Sequence, residues 1–517
     1  MLLFWRRLPA ILSFSLLAFQ LAIPWTVPHF VTQDGPSHTY TAAIAQNLLL
    51  HRHSVYNPVY RFNPRLVPNW GTTIVMNAAA AVAGYGHAEQ VTMSLCLLAG
   101  FFGLAYARKA LNPETSPWTP LNNFLLQSWF LWVGFYNFYL GMALSLFVIG
   151  YYLRDERRLN RRRAAVLSAG LIILFFTHLI PAAIAALVVF ILGMWSRPRV
   201  RQLTLLAGTL LPVLLLLANY AASTHEPVQL PSDLMQSLRV FPKHVFATAA
   251  GPFGTQSYLW PAVLLYIAVT VFGMRRTEWR SARGALVVAA LFCFLLYLIV
   301  PQSGFGGSEA KLRFAWAAFL LGGLLPGSIA RWQYLRTPFA LCLFPLLIAS
   351  LTVCAQALQA TSRAVDDYLS AADQIPTGSR FLRLYFPTRD VPARYGFEGI
   401  GRDPLFHLDA YVAARRGCVD LTDYQQLGLG PIFPVIVKPD IDETHRAVLW
   451  GMEGPDDDAG PTVRWLRYSL PRPIDYNILV GSSAIPPSLL EELNRDMTLL
   501  SISPNGFVRV FRRTGPR

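Results

Sequence analysis

The sequence predicts a polytopic α-helical membrane protein with a soluble α/β domain at its C-terminal end, and three observations lead to this class. Of the 517 residues, 54% are hydrophobic and only 14% are charged, whereas soluble proteins carry about 25% charged residues. Residues 1–359 hold 26 Lys/Arg and 9 Asp/Glu, while residues 360–517 hold 18 and 20. The long apolar segments all lie in the first, basic part. This composition excludes a disordered chain, and the five cysteines are too few for a disulfide framework.

Eleven apolar segments are predicted to be membrane spans, since a span needs about 20 mostly apolar residues, and fewer when it lies among other helices. They cover residues 8–27, 88–107, 119–135, 138–153, 164–180, 181–196, 203–222, 257–274, 284–300, 314–330 and 338–357. With eleven spans, all six clusters of Lys and Arg fall on one side of the membrane. Because cytoplasmic loops collect positive charge, we expect a cytoplasmic N-terminus and an external C-terminus.

A twelfth apolar stretch, Trp70–Gly84, is left out of this count. Counting it would invert every later loop and place the strongly basic segment at residues 154–163 outside, against the charge rule. We therefore predict an interfacial or re-entrant helix within a long outer loop, residues 28–87. The opening segment is predicted to be an uncleaved first span, because no small-residue cleavage site follows it.

The tail after the last span is about 160 residues long, which is enough for a core of its own. Strand-like runs at residues 379–386, 433–438, 476–481 and 506–513 alternate with helical runs at 404–417 and 486–497. This alternation indicates a small α/β domain. The predicted organisation is a transmembrane domain at residues 1–357 and an extracytoplasmic α/β domain at residues 358–517.

Asp34 is the only carboxylate in residues 1–88, and it stands about seven residues beyond the first predicted span. One interpretation is that it caps a helix whose first turn contains Pro36, a common N-terminal arrangement. The other is that this position points a carboxylate into a cavity, with His38 one turn along on the same helix face. The residues alone leave both interpretations open.

Several features together resemble the GT-C superfamily of membrane glycosyltransferases, in its bacterial branch. They are the N-terminal span, an outer loop that opens with D-x-x-x-H at residues 34–38, many short spans and an outer α/β domain. The loop GFYNFYLG (134–141) and the turn FFTHLIP (175–181) are also similar to this branch. The resemblance implies a GT-C-like fold and the transfer of a sugar from a polyprenyl-phosphate donor to an envelope glycan, lipid or protein.

By this resemblance, Asp34 is the catalytic base and His38 orients the acceptor or Asp34. Transfer also needs cations at the leaving phosphate, and few basic residues are predicted on the outer side. Arg313 is the first candidate, followed by Lys311 and Lys243, because a guanidinium binds phosphate in a forked geometry and a lysine acts as a point charge. The alternative for Arg313 is an anchor for lipid headgroups or a partner for Glu309.

Tyr136, Asn137 and His178 are expected to line the cavity. Many GT-C members have a second acid in the outer loop after the third span, where it helps to hold a divalent metal, but this chain has Tyr136 and Asn137 there. A neutral amide adds no charge to a Mg²⁺ or Mn²⁺ site. The sequence therefore identifies no cofactor. A divalent metal remains an alternative, but the absence of the second acid argues against one. For His178, a buried histidine at a helix end is the alternative.

The predicted localisation is the bacterial inner membrane, with the lipid bilayer and a polyprenyl-linked sugar as partners and no nucleic acid. A non-catalytic transporter or scaffold for envelope polysaccharide is the rival hypothesis. A transporter is expected to carry ionisable groups within its spans or broken helices in paired repeats. No carboxylate lies inside any predicted span, and this favours the transferase.

Overall fold

The structure is a computed structural model, and it describes residues 2–51, 53–114, 116–155, 159–195, 199–223, 234–249, 259–275, 277–302, 309–326, 332–386, 403–427, 432–438, 474–481 and 487–514. The chain divides into two compact units. The first contains Met1–Pro24, Leu66–Gly71 and Met93–Ala355, and the second contains Trp25–Arg65, Thr72–Thr92 and Gln356–Arg517. Each unit is described separately.

The first unit is built from helices, as the apolar composition of its sequence predicts. They are α1 (Leu2–Ala22), α4 (Ala88–Leu111, from Met93 onwards), α5 (Pro120–Leu126), α6 (Trp129–Val133), α7 (Tyr136–Leu153), α8 (Arg161–Thr177), α9 (Leu179–Trp195), α10 (Val200–Ser223), α11 (Leu234–Ala249), α12 (Trp260–Arg275), α13 (Ala282–Ile299), α14 (Ala310–Gly322) and the first part of α15 (Trp332–Ala372). Within this unit, α7 packs on α9, α9 on α13 and α13 on α14.

Six helical segments in the described part of the chain are long and apolar enough to cross a membrane. They are Arg7–Thr26, Ala88–Leu111, Tyr136–Leu153, Val200–Ser223, Ala282–Ile299 and Arg336–Ala372. Three shorter apolar helices accompany them, Trp70–Ala83, Leu179–Trp195 and Trp260–Arg275. The predicted class, a multi-pass helical membrane protein, is confirmed, and the count of eleven spans stays a prediction.

The helices differ from the predicted spans in three places. The segment predicted as one span at 119–135 consists of the two short helices α5 and α6, because Ser128 caps a new helix and Gly134 ends it in a left-handed conformation (φ 96°). The outer loop predicted at 223–256 contains the helix α11. Helix α15 runs to Ala372 and so passes the predicted end of the last span at residue 357.

The second unit contains a mixed five-stranded sheet with the strand order β3-β2-β5-β7-β6. Its strands are β2 (Arg380–Tyr385), β3 (Val419–Asp420), β5 (Tyr476–Val480), β6 (Met497–Ile502) and β7 (Val508–Arg513). Strand β2 is parallel to β3 and to β5, whereas β7 is antiparallel to β5 and β6. Three short helices lie in the same unit, α16 (Leu408–Arg416), α17 (Tyr424–Leu427) and α18 (Pro487–Asn494). The predicted C-terminal α/β domain is thereby confirmed as a fold.

Part of the predicted outer loop shares the core of this second unit. Helix α2 (Gly35–Leu50) packs on α16 and α17, and β1 (Tyr60–Phe62) pairs with β4 (Val435–Val437) in a separate two-stranded sheet. Helix α3 (Trp70–Ala83) covers the apolar stretch for which a helix was predicted. The outer-loop segment and the tail therefore form one hydrophobic core, which is what holds α2 in place.

Candidate functional site

Asp34 stands at the N-terminal end of α2, with Pro36 in the first turn as predicted. Its side chain is 7% exposed and makes no capping hydrogen bond, because its backbone is already in the helical region (φ −97°, ψ −12°). An N-cap side chain usually reaches the amides of the first turn from an extended backbone. The neighbouring Gln33 donates from Nε2 to the Asp34 carboxylate at 3.1 Å.

Thr32 provides the hydrogen bond that Asp34 does not make. Its Oγ1 accepts from the Gly35 amide at 3.1 Å. The buried carboxylate of Glu89 accepts from the Thr32 amide at 2.9 Å and from the Thr32 hydroxyl at 2.6 Å. The start of α2 is therefore held by Thr32 and Glu89, and the capping interpretation of Asp34 has no support in the geometry.

Sequence reasoning missed both Thr32 and Glu89. Glu89 is the only acid in the first turn of α4, and a carboxylate opening a long apolar helix was the available signal. Gly35 is required beside it, because a Cβ at residue 35 would lie 1.8 to 2.5 Å from the atoms of the Glu89 carboxyl group. This close approach brings the Thr32–Glu89 pair directly against the residue that follows Asp34.

His38 lies one turn after Asp34 on the same helix, and its amide donates to the Asp34 carbonyl at 3.1 Å. Its imidazole is 7% exposed, and its Nδ1 lies 3.0 Å from Nε2 of Gln425, which belongs to α17. The two predicted residues Asp34 and His38 are thus on one helix end in the second unit. The contact with Gln425 was not predicted, since the two residues are 387 positions apart.

Buried ionisable groups from the tail surround this helix. Arg383 of β2 pairs with Asp409 of α16 at 3.4 Å. Burial raises the pKa values of Asp420 and Asp423 well above their usual range. Burial, together with the nearby positive charges, lowers the pKa of His407. These two carboxyl groups therefore keep their protons to a higher pH than usual, and the His407 imidazole loses its proton at a lower pH than usual.

Arg313 and His178 meet in the first unit. His178 separates α8 from α9, because Pro181 has no N–H for the Thr177 carbonyl and its ring prevents the helix from continuing. Arg313 lies in the first turn of α14, and its Nη1 is 2.8 Å from Nε2 of His178. Its guanidinium also lies over the ring of Phe138 at 5.2 Å from the ring centre.

The hydrogen bond between Arg313 and His178 fixes the charge on the imidazole. A guanidinium only donates, so Nε2 must accept and His178 is neutral. The Ile180 amide lies 3.2 Å from Nδ1, a contact that only the other tautomer completes as a hydrogen bond. The charge-assisted bond is the shorter and stronger of the two, and it leaves the positive charge on Arg313.

Tyr136 and Asn137 open helix α7, and both are buried. Asn137 Oδ1 lies 3.3 Å from where a Cβ on Gly71 would stand, and the Thr177 methyl lies 2.7 Å from it. Gly71 therefore allows the first turn of α3 to approach the start of α7 and the end of α8. His178, Asn137 and Arg313 belong to the first unit, whereas Asp34 and His38 belong to the second. Asn137 opens α7, and His178 lies between α8 and α9, both of which pack on α7.

The two candidate lysines have different surroundings. Lys311, half-buried, donates from Nζ to the hydroxyl of Ser237 on α11. Lys243 is exposed on the same helix α11. The Glu309 carboxylate accepts a hydrogen bond from the Gln302 side chain. The Glu309 backbone carbonyl accepts a hydrogen bond from the Arg313 backbone amide.

Among the residues that the structure describes, no three His, Cys, Asp or Glu side chains come together in a way that could hold a divalent metal ion. Asn137 stands where the resemblance expects the second acid. The described residues therefore do not fit a metal site.

The fold is similar to that of a solved membrane transferase, ArnT from Cupriavidus metallidurans. The structure of ArnT bound to undecaprenyl phosphate matches with a TM-score of 0.53 and 11% identity, over 100% of this chain and 99% of that one. The apo structure matches with a TM-score of 0.52 and 11% identity, over 98% of each chain. The chain thus has the fold of the GT-C membrane glycosyltransferases, and the predicted resemblance is confirmed at this level.

A third solved structure, the arabinofuranosyltransferase AftD from Mycobacteria, is similar with a TM-score of 0.49 and 15% identity. That likeness covers 99% of this chain and 42% of AftD. No protein-family model matches the sequence, and none of the curated proteins matches it.

Proposed function

We propose that the protein is a membrane glycosyltransferase that moves a sugar from a polyprenyl-phosphate donor to a cell-envelope acceptor. The reaction is placed at the outer face of the inner membrane, with the N-terminus cytoplasmic and the C-terminal domain outside. The support is the GT-C fold and the multi-pass character. The ArnT structure with undecaprenyl phosphate shows that a chain of this fold binds such a lipid.

The chemistry needs one base and one cationic region. The acceptor hydroxyl oxygen attacks C1 of the sugar, the bond from C1 to the phosphate oxygen breaks, and its electron pair leaves with the polyprenyl phosphate. Asp34 takes the hydroxyl proton. Phosphate is a good leaving group, so electrostatic stabilisation is sufficient and a strong general acid is not required.

The observation that carries this proposal is the state of the Asp34 carboxylate. It is buried at the start of a helix, yet the capping of that helix is done by Thr32. A capping bond to backbone amides would stabilise the carboxylate and lower its basicity. Asp34 makes no such capping bond, so helix capping does not account for this buried carboxylate.

The first unit supplies the cations of the proposal. Arg313 binds the donor phosphate, and His178 positions it by accepting one of its N–H groups. Lys311 and Lys243 add positive charge near the same lipid headgroup. Asn137, together with Tyr136, is proposed to line the cavity that holds the sugar.

The test is Asp34→Asn, which keeps the shape of the side chain and its ability to cap. The full chain in lipid nanodiscs is supplied with undecaprenyl-phosphate-linked hexoses and pentoses, and the transfer of labelled sugar to envelope fractions is measured. Loss of a general base predicts a rate about 10²–10⁴ lower, with unchanged expression.

Asp373→Asn is the matched control, because Asp373 is an acid in the same unit that is exposed and pairs only weakly with Arg416, at 4.0 Å. It is expected to transfer at the wild-type rate. An Asp34→Asn protein as active as this control would overturn the mechanism. A wild-type protein that transfers no sugar from any donor would favour the transporter or scaffold hypothesis.

A further inference from the structure

A chain of four buried side chains leads from α17 to His38. Gln426 Nε2 donates to Thr41 Oγ1 at 2.6 Å, and Thr41 Oγ1 donates to Gln425 Oε1 at 2.8 Å. Gln425 Nε2 then lies 3.0 Å from His38 Nδ1. All four side chains are at most 7% exposed. The hydrogen bonds of this chain are therefore protected from exchange with water.

The orientation of the Gln426 amide sets the direction of the chain, and this direction determines the tautomer of His38. In the structure Thr41 accepts the proton of Gln426, so its own hydroxyl proton is available for Gln425 Oε1. This orients Gln425 with its amide N–H groups toward His38, and an amide nitrogen only donates. Turning Gln425 alone would place a second amide donor on Thr41 and remove the acceptor of its hydroxyl proton, and only turning Gln425 and Gln426 together would reverse the chain. In the observed direction His38 Nδ1 is an acceptor, which requires a lone pair.

We propose that Gln425 is a positioning residue that keeps His38 neutral with its proton on Nε2, so that His38 serves the transfer reaction as an N–H donor and not as a base. This inference rests on the proposed function. An N–H donor one turn from Asp34 suits the oxygen of the acceptor hydroxyl, which Asp34 deprotonates. Asp34 is then the base, and His38 is the residue that orients the acceptor hydroxyl.

The other ionisable groups on this helix and on the elements packed against it are compatible with a neutral His38. They are Asp34 and Tyr40 on α2, His407, Asp409, Tyr411, Arg415 and Arg416 at α16, Asp420, Asp423 and Tyr424 at α17, Tyr60 and Arg61 on β1, and Arg383 on β2. Strand β4 carries none in Val435–Val437. Burial raises the pKa values of Asp420 and Asp423, which reduces the negative charge that would favour an imidazolium.

The direct test is nitrogen NMR of the full chain, labelled with ¹⁵N-histidine and placed in lipid bilayers. Protonated and unprotonated ring nitrogens are distinguished by their chemical shifts, and the His38→Gln variant identifies the signals of His38. At neutral pH the proposal expects a protonated Nε2 and an unprotonated Nδ1. An Nδ1–H tautomer or an imidazolium would overturn it. This measurement needs no transfer activity, so it remains decisive if the proposed function fails.

The second test is the pH dependence of transfer by Gln425→Glu, which replaces the amide donor by an acceptor of the same shape. A carboxylate beside Nδ1 raises the pKa of His38. Below that pKa the imidazolium still offers Nε2–H, whereas above it the neutral ring gives its single proton to Nδ1 and the carboxylate. Transfer by the variant should therefore fall by about tenfold, relative to wild type, as the pH rises through this range.

Gln46→Glu is the control, since Gln46 lies on α2 together with His38. Its Oε1 accepts a hydrogen bond from Tyr85, a role that a carboxylate retains. It should keep the wild-type pH profile. A loss of packing at residue 425 would lower the rate equally at every pH. An unchanged or uniformly lowered profile of Gln425→Glu, in a protein where Asp34→Asn is inactive, would refute the role of Gln425 and leave the proposed function intact.

Discussion

Replacing Arg313 by lysine or alanine separates a phosphate-binding role from a lipid-headgroup anchor. The guanidinium is 8% exposed, donates to His178 at 2.8 Å and lies 5.1 and 5.2 Å from the ring centres of Phe135 and Phe138. Both rings and the imidazole fix its orientation. A planar group held on three sides keeps a fixed orientation, which a forked phosphate contact requires.

The magnitudes follow from what each variant removes. A buried hydrogen bond to a charged group is worth about 1.5–3 kcal/mol, so loss of the phosphate contact in Arg313→Ala should lower kcat by about one to two decades. Arg313→Lys keeps the charge and loses the forked geometry and the bond to His178. It should retain more activity than the alanine variant, at about a tenth to a third of the wild-type rate.

The assay is the initial rate of sugar transfer in nanodiscs, with thermal unfolding of each variant measured in the same preparation. His178→Ala should give an intermediate loss, and it should cost little more when combined with Arg313→Ala, because the two residues act through one contact. Near-wild-type rates for both Arg313 variants, in folded protein, would return this residue to the role of a headgroup anchor.

Three further predictions concern topology, the start of α2 and the acidic residues around it. A reporter fused after residue 160 should be cytoplasmic and one after residue 370 external, and an external reporter at 160 would mean that the apolar stretch after residue 70 crosses the membrane. Gly35→Ala should displace the Glu89 carboxylate, which a Cβ would approach to 1.8 Å, and protease digestion should then reveal a loosened helix start. An unchanged digestion pattern would argue against the role of Thr32 and Glu89 in holding the start of α2. The folded pKa of Asp423 lies above the unfolded value of about 3.8, so the folded state binds more protons and stability falls as the pH rises from about 4. Asp423→Asn should therefore melt at a higher temperature than wild type at neutral pH, with the difference vanishing near pH 4, and equal melting temperatures at both pH values would contradict the raised pKa.

The membrane character of the chain was predictable because it depends on composition summed over long segments. The breaks within it were less predictable. Helices α5 and α6 form where one span was predicted, since the polar pair Gln127–Ser128 can end one helix and cap the next. Helix α11 was predicted as loop because its sequence mixes apolar and basic residues and contains Pro242. Such a helix forms through packing on α13 and α14 rather than through its own apolar character.

The candidate site could also be predicted only in part from the sequence. Asp34 and His38 were proposed as candidates because they are close in sequence and unusual in an apolar chain. Their partners were not found, since Glu89 contacts Thr32 from 57 positions away and Gln425 contacts His38 from 387. Contacts at such separations are made by tertiary packing, and no local pattern of residues indicates them.

The start of α2 is capped by a residue other than the acid at its N-terminal position. A helix start has amide groups that need acceptors, and an acid in this position normally serves them. An acid that does so is stabilised in its charged form and becomes a weaker base. Here Thr32 meets the Gly35 amide, and Glu89 in turn holds Thr32 through two hydrogen bonds. Thr32 therefore caps the helix with the support of Glu89. This is the arrangement expected if Asp34 is the residue that accepts the proton.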